Sequence, residues 1–224
     1  MSKIALLGGT GNEGRGLGSR LALAGESVII GSRNETRAQC AAQSLKDLLG
    51  DDTPPISGCT NAEAAGEADA AFVCLPAAGL AGVLTEVASA LRGKIVVDVV
   101  NPVKRTKQGF EPASAEGAAS AAERVAQLLP GADIVSAFKT LSATQLVNVS
   151  SPLRGDTFVC GDVSRAKTFV FELIARMPNL RAIDAGPLRN ARYVEAATVL
   201  LLEINHHYKA TTSLQLLGLG QPPG

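Results

Sequence analysis

Short apolar runs punctuate the first 140 residues, and the stretches between them are rich in Ala and Leu. "KIALLGG" (3–9), "SVIIGS" (27–32), "AAFVCLP" (70–76), "KIVVDVV" (94–100) and "DIVSAF" (133–138) read as strands. Their near-continuous apolar character is that of strands covered on both faces. "GRGLGSRLALAG" (14–25), "ETRAQCAAQSLKDLLG" (35–50) and "SAEGAASAAERVAQLLPG" (114–131) read as helices, the last closed by Pro130 and Gly131. Strands alternating with helices predict βαβ units. The expected class is therefore α/β, a Rossmann-type doubly wound parallel sheet.

Beyond about residue 150 the pattern changes. "TFVCGD" (157–162) and "LRAID" (180–184) are strand-like, with a helix expected over 163–177 between them. The segment 187–217, "PLRNARYVEAATVLLLEINHHYKATTSLQLL", predicts one long helix, too apolar on several sides to stay in water. It must pack on the sheet or on a second copy, which makes a homodimer the expected state. We divide the chain into a large domain over 1–150 and a small C-terminal α/β portion over 151–224 that packs on it, contributes to a substrate cleft and offers a dimer contact. The tail "GLGQPPG" (218–224) is expected to be flexible.

Composition narrows the function classes. Apolar residues make up 46% of the chain and charged residues 19%, which supports a substantial core and excludes disorder. Lys plus Arg equals Asp plus Glu at 21 each, so no basic surface for nucleic acid is expected. The apolar run "AATVLLLEI" is broken by Glu203 and too short to span a bilayer, and "KIALLGG" follows no cationic leader. Cys40, Cys59, Cys74 and Cys160 form no CxxC pair, and His206 and His207 are adjacent, which is poor metal-ligand spacing. A cytoplasmic protein with buried free thiols, no metal and a small-molecule substrate is the expectation.

"GGTGNEG" places Gly9, Gly11 and Gly14 at GxGxxG spacing between a strand and a helix, the context in which the pattern indicates a dinucleotide site. The first glycine permits the turn, the second lets backbone approach a pyrophosphate, and the third lets helix and strand pack closely. Thr10 and Asn12 add candidate donors. NAD sites carry an acid about 20 residues later for the ribose 2′-hydroxyl. Here that strand ends in Ser32 and Arg33, with Arg37 one turn on. A hydroxyl and two guanidinium groups suit a 2′-phosphate, so the expected cofactor is NADP(H). The ordinary alternative is that Arg37 decorates a helix surface or pairs with Glu35.

"IALLGGTGNEGRGLGSRLALAGESVIIGSRNETRA", "VVDVVNP", "VCGD" and "DAGPLRNARYVEAATVLLLEIN" together resemble, in the same order, the NADPH:coenzyme F420 oxidoreductases. The resemblance implies a Rossmann domain with a small C-terminal portion, often dimeric. It also implies hydride transfer between NADP(H) and the deazaflavin coenzyme F420 as co-substrate. Such chemistry needs two stacked rings and few titratable groups. Leu75 and Pro76, and Asn101 and Pro102, stand at strand ends where ligands of doubly wound sheets lie.

In "SAFKTLSA" (136–143) this chain departs from the family, whose members tend to carry His where Lys139 stands. Lys139 is the candidate catalytic group, a proton donor if burial lowers its pKa, and with Leu141 a candidate substrate contact. Arg189 and Arg192 are further candidates, for the acidic tail of coenzyme F420, as is the cluster Lys104, Arg105 and Lys107. Two alternatives stay open. One is NADPH-dependent reduction of a small carbonyl or imine with Lys139 as proton donor; the other is a non-catalytic NADPH sensor.

Overall fold

The computed structural model of the chain describes residues 1–219. Most of the tail expected to be flexible, from residue 220 onward, lies outside the described residues. The elements are β1 (Lys3–Leu7), α1 (Asn12–Leu23), β2 (Ser27–Ser32), α2 (Glu35–Leu49), β3 (Ile56–Thr60), α3 (Asn61–Glu67), β4 (Ala70–Val73), α4 (Leu80–Leu91) and β5 (Ile95–Asp98). A hairpin of β6 (Val103–Arg105) and β7 (Phe110–Pro112) follows, then α5 (Ala121–Leu128), β8 (Asp133–Ser136), α6 (Ala143–Val147), β9 (Gly155–Gly161), α7 (Ser164–Ala175), β10 (Leu180–Asp184) and α8 (Ala191–Tyr208).

Eight strands form one sheet in the order β10-β9-β8-β5-β4-β1-β2-β3. From β3 to β8 every pair is parallel, and the strand order is that of a doubly wound dinucleotide fold. β9 joins the edge antiparallel to β8, with Ser136 opposite Cys160, and β10 runs parallel to β9. The strands beyond residue 150 thus extend the same sheet.

Alternation along each strand feeds two cores. In β1, Ile4 and Leu6 face a layer built with Leu17, Leu21 and Leu45, whereas Ala5 and Leu7 face one built with Leu80, Leu84 and Val87. Both sets are buried, which is why the strands read as unbroken apolar runs. Each such leucine contributes about 1.5–3 kcal/mol of transfer free energy.

Three expectations are corrected. The helix expected over 114–131 shrinks to α5, because Glu116 and Gly117 take φ of 50° and 90° and the helix starts only where Ser120 accepts from the Glu123 N–H. The long helix of 187–217 begins, after a 3-10 turn at Leu188–Asn190, at Ala191 and stops at Tyr208, where Lys209 turns left-handed (φ 49°). The residues after it run alongside β9, with the Leu214 carbonyl accepting from the Asp156 N–H at 2.7 Å. All four cysteines are unpaired, but they are not all buried: Cys160 is, Cys59 and Cys74 are partly so, and Cys40 lies exposed on α2. Among the described residues no helix is long and apolar enough to cross a membrane.

Candidate functional site

Where strand order reverses between β1 and β4, the β1–α1 turn opens into a cavity of about 670 Å³. Thr10, Gly11, Asn12, Glu13 and Gly14 line it on one side, and Cys74, Leu75, Pro76, Val100 and Asn101, after β4 and β5, on the other. Gly14 is required by packing, since a Cβ there would lie 2.5 Å from Gly9 Cα. Gly11 is different: a Cβ there would meet no protein atom within 4 Å, so the loop borders open space in which a ligand could approach the backbone. Gly11 caps α1 without a side-chain acceptor, so the first N–H groups of the helix are available to an anion.

The far end of the cavity is formed by Ser32, Arg33, Asn34 and Arg37. Ser32 Oγ accepts from the Asn34 N–H at 3.1 Å, and Asn34 Oδ1 caps α2 by accepting from the Arg37 N–H at 2.9 Å. Glu35 accepts from Gln39 Nε2 at 2.9 Å rather than from Arg37. Arg33 and Arg37 are exposed, and among the described residues neither forms an ion pair. Two unpaired guanidiniums with a hydroxyl beside them suit a phosphate dianion.

Beneath the mouth lies a buried charge cluster. The turn after β8 is set by Phe138, a bulky residue at φ 61°, held by its N–H to Thr157 Oγ1 (2.9 Å) and by its ring 5.7 Å from that of Phe72. That turn sends Lys139 inward, where it is 1% exposed. Its ammonium meets Asp98 Oδ2 at 2.6 Å, Glu195 Oε1 at 3.0 Å and the Val100 carbonyl, so its three N–H groups are engaged. Glu195, on α8, also accepts from the Ala121 N–H at 3.1 Å. Burial pulls the lysine pKa down, but the carboxylates of Asp98 and Glu195 more than offset it, and the net shift is upward. The lowered pKa that a proton-donating lysine needs is therefore not found. Burial raises the Glu195 carboxyl, against the lowering effect of Lys139.

A second cavity of about 370 Å³ adjoins the first, lined by Lys139, Leu141, Ser142, Thr198, Leu202 and Asn205, among others. Glu13 and Asn101 line both cavities. Asn101 Nδ2 donates to the Lys139 carbonyl at 2.9 Å, and the Thr198 hydroxyl is shared between that oxygen at 3.1 Å and the Val194 carbonyl at 2.9 Å. Asn101 Oδ1 is buried and has no protein partner.

The site residues read from the sequence are distributed unevenly. Most of the cofactor set lines the first cavity, but Gly9 packs beneath it against Leu6, and Pro102 faces a third cavity beside Arg192. Lys139 and Leu141 line the second cavity. Arg192 is held by Glu123 at 2.8 Å, Arg189 stands on the 3-10 turn before α8, and Lys104, Arg105 and Lys107 are exposed on the β6–β7 hairpin. Sequence reasoning missed Glu13, Asp98, Glu195 and Asn61. The last is buried at the start of α3 and accepts from the Gly8 N–H at 3.0 Å, bracing the glycine loop. Its signal was present: Thr60 and Glu63 form a capping box around it.

Comparison with known proteins fits this geometry. Residues 3–102 match the family model described as NADP oxidoreductase coenzyme F420-dependent. The chain is 39% identical over 206 residues to the F420-dependent NADP reductase of Methanothermobacter marburgensis, covering 91% of this chain and 92% of that one. It is 37% identical over 216 residues to the enzyme of that name from Methanocaldococcus jannaschii, covering 93% and 94%. The crystal structure of a proposed F420-dependent NADP-reductase from Arthrobacter sp. fb24 superposes with a TM-score of 0.80 at 25% identity, covering 98% of this chain and 100% of that one. Relatives at this identity, aligned over nine-tenths of both chains, establish that this chain belongs to the F420-dependent NADP reductase family.

Proposed function

We propose that the protein transfers a hydride between NADP(H), bound in the larger cavity, and coenzyme F420, bound in the smaller one. The observation that carries this is the common wall: Glu13 and Asn101 line both cavities, so two flat rings would meet across them. When bound, the two groups supply a hydride donor and a hydride acceptor, with no covalent bond to the protein.

The residues fit these ligands. The uncapped start of α1 and the open space at Gly11 suit a pyrophosphate, and Ser32, Arg33 and Arg37 suit the 2′-phosphate. Asn101 Oδ1 offers an unused acceptor at the ring wall. Lys139 serves as a positioning group. With its ammonium engaged, its carbonyl orients Asn101 and ties the β8 turn to α8 through Thr198. On this reading residues 1–150 supply the NADP site, and residues 151–224 complete the deazaflavin site through α8. Tyr193 and Leu200, 68% and 61% exposed and two turns apart on α8, are the candidate contact of a cytoplasmic homodimer.

The test begins with the wild-type protein. Mixed with NADP⁺ and reduced coenzyme F420, it should restore the visible band of the oxidised deazaflavin. The Arg33→Asp variant should bind NADPH about 10- to 100-fold more weakly while NADH binding changes little, because charge-assisted hydrogen bonds to the 2′-phosphate are lost. Equal loss for both cofactors would overturn the assignment of the phosphate site.

A further inference from the structure

The two cavities meet at an acid that the family fingerprint treats as a variable position. Glu13 occupies the second place between Gly11 and Gly14, in the first turn of α1, and is half-buried. It borders the larger cavity with the glycine loop and the smaller one with Lys139, Thr140 and Leu141.

Its surroundings make a proton there expected rather than accidental. Asp98 and Glu195 pair with the Lys139 ammonium, and Glu13 lines the same smaller cavity as that lysine, close enough to feel its charge but without an ion pair to it. Fully ionised, the group would hold two uncompensated negative charges out of water, a costly state. Lys139 is committed to Asp98, Glu195 and the Val100 carbonyl. Glu195 is further held by the Ala121 N–H, and Asp98 Oδ1 accepts from the Val100 N–H at 3.1 Å. No hydrogen bond is found to the Glu13 carboxyl among the described residues, and Glu13 is the acid of the three that reaches both cavities.

The redox chemistry leaves a role for such a group. A hydride carries two electrons and one proton from the nicotinamide C4 to the deazaflavin C5. The acceptor then needs one further proton, on its pyrimidine ring, to become the neutral dihydro form. We infer that Glu13 carries that proton, giving it up as a neutral carboxylic acid when the acceptor is reduced and recovering it as a carboxylate in the reverse direction. The inference rests on the proposed occupancy of the smaller cavity by a deazaflavin. One carboxyl O–H bond breaks, one N–H bond forms on the acceptor, and the carboxylate is reprotonated from solvent through the open mouth. Lining both cavities, the carboxylate would also stand near the cationic ring of NADP⁺ when that form is bound.

The state of the carboxyl agrees with this role. Burial raises its pKa to about 7, opposed by the Lys139 ammonium and reinforced by the Asp98 carboxylate. The thiol of Cys74, on the same cavity, is pushed well above its ordinary value by burial and by Glu13 and Asp98, so it remains protonated and does not compete.

Glu13→Gln keeps the shape and removes the titration, and Glu13→Asp keeps the acid. Two readouts are taken, one without turnover. For wild type, NADP⁺ affinity should rise about three- to tenfold as pH increases through 7, because the carboxylate favours the cationic ring. The rise should be weaker in Glu13→Gln, where only the 2′-phosphate still titrates, at about pH 6, and should return in Glu13→Asp. Hydride transfer from NADPH to coenzyme F420 should fall by about a hundredfold in Glu13→Gln, the loss expected of a general acid, and its pH profile should lose the break near 7. NADP⁺ binding by the variant serves as the check that it is folded. If wild type reduces no deazaflavin at any pH, the proposed function fails. If wild type reduces it and Glu13→Gln retains both the rate and an undiminished rise of NADP⁺ affinity through pH about 7, the assignment to Glu13 is overturned.

Discussion

Replacing Lys139 by Met tests whether the buried cluster is held together by its one cation. The substitution nearly conserves the side-chain length and deletes the charge. It removes two ion pairs, at 2.6 Å to Asp98 and 3.0 Å to Glu195, and the bond to the Val100 carbonyl, among groups that are all buried. Breaking a buried pair by removing one partner costs about 3–5 kcal/mol, because the other charge is left stranded. Two carboxylates are stranded here, so the upper part of that range is expected near neutral pH.

The sign of the pH dependence follows from Glu195. Burial already raises its carboxyl, and Lys139 is the strongest influence lowering it. Without the lysine, the folded-state pKa rises further above the unfolded one, so the folded variant binds a proton that the unfolded chain does not. Its stability then increases as pH falls through the folded pKa, by up to about 1.4 kcal/mol per unit for one carboxyl. Urea unfolding should show a deficit that is large at about pH 8 and clearly smaller at about pH 5.5. The double variant Lys139→Met with Glu195→Gln should recover part of the loss, since one stranded charge is gone. A deficit below about 1 kcal/mol at the higher pH, or one equal at both, would refute the view that Lys139 neutralises the cluster.

Two other perturbations probe the frame around the site. Asn61→Ala deprives the Gly8 N–H of its acceptor (3.0 Å) and should cost about 1–3 kcal/mol in thermal or urea unfolding, with a weaker NADPH titration because the loop loses its brace. Arg20 donates to the carbonyls of Gln145, Leu146, Asn148 and Ser151, and Arg20→Met should lower stability by about 2–3 kcal/mol. Hydrogen exchange should then quicken over residues 143–151 before anywhere else, and uniform quickening would argue against a local clamp.

Much of the sheet was legible because its strands are covered on both sides and so carry a local apolar signature. The same logic failed for β3 and α3, where Gly58, Cys59 and an Ala-rich turn present too little contrast. α8 was over-read because apolar residues continue past Tyr208, although nothing in their spacing says that Lys139 and Asp156 will draw α8 and the chain after it to separate parts of the sheet. The antiparallel entry of β9 was illegible for a similar reason. Direction in a sheet depends on where the connection of residues 137–154 crosses, and the Arg20 bonds that hold its carbonyls are made from a distant part of the chain.

The candidate site divides along the same line between local and distant information. Ser32, Arg33 and Arg37 could be read because one strand–helix turn holds all three, and a missing acid is visible in the sequence. The charge cluster could not, because Asp98, Lys139 and Glu195 come from the end of β5, the turn after β8 and the second turn of α8, and only the fold brings both carboxylates within 3.0 Å of the ammonium. Read alone, Lys139 is a basic group in want of a role, and proton donation is the natural guess. Once two acids are found upon it, its proton is too firmly held to be given away, and the question passes to the acid that is left over. Glu13 stood in plain view between two glycines, in a position where the fingerprint permits any residue. Its meaning comes from the partners that the lysine has already taken.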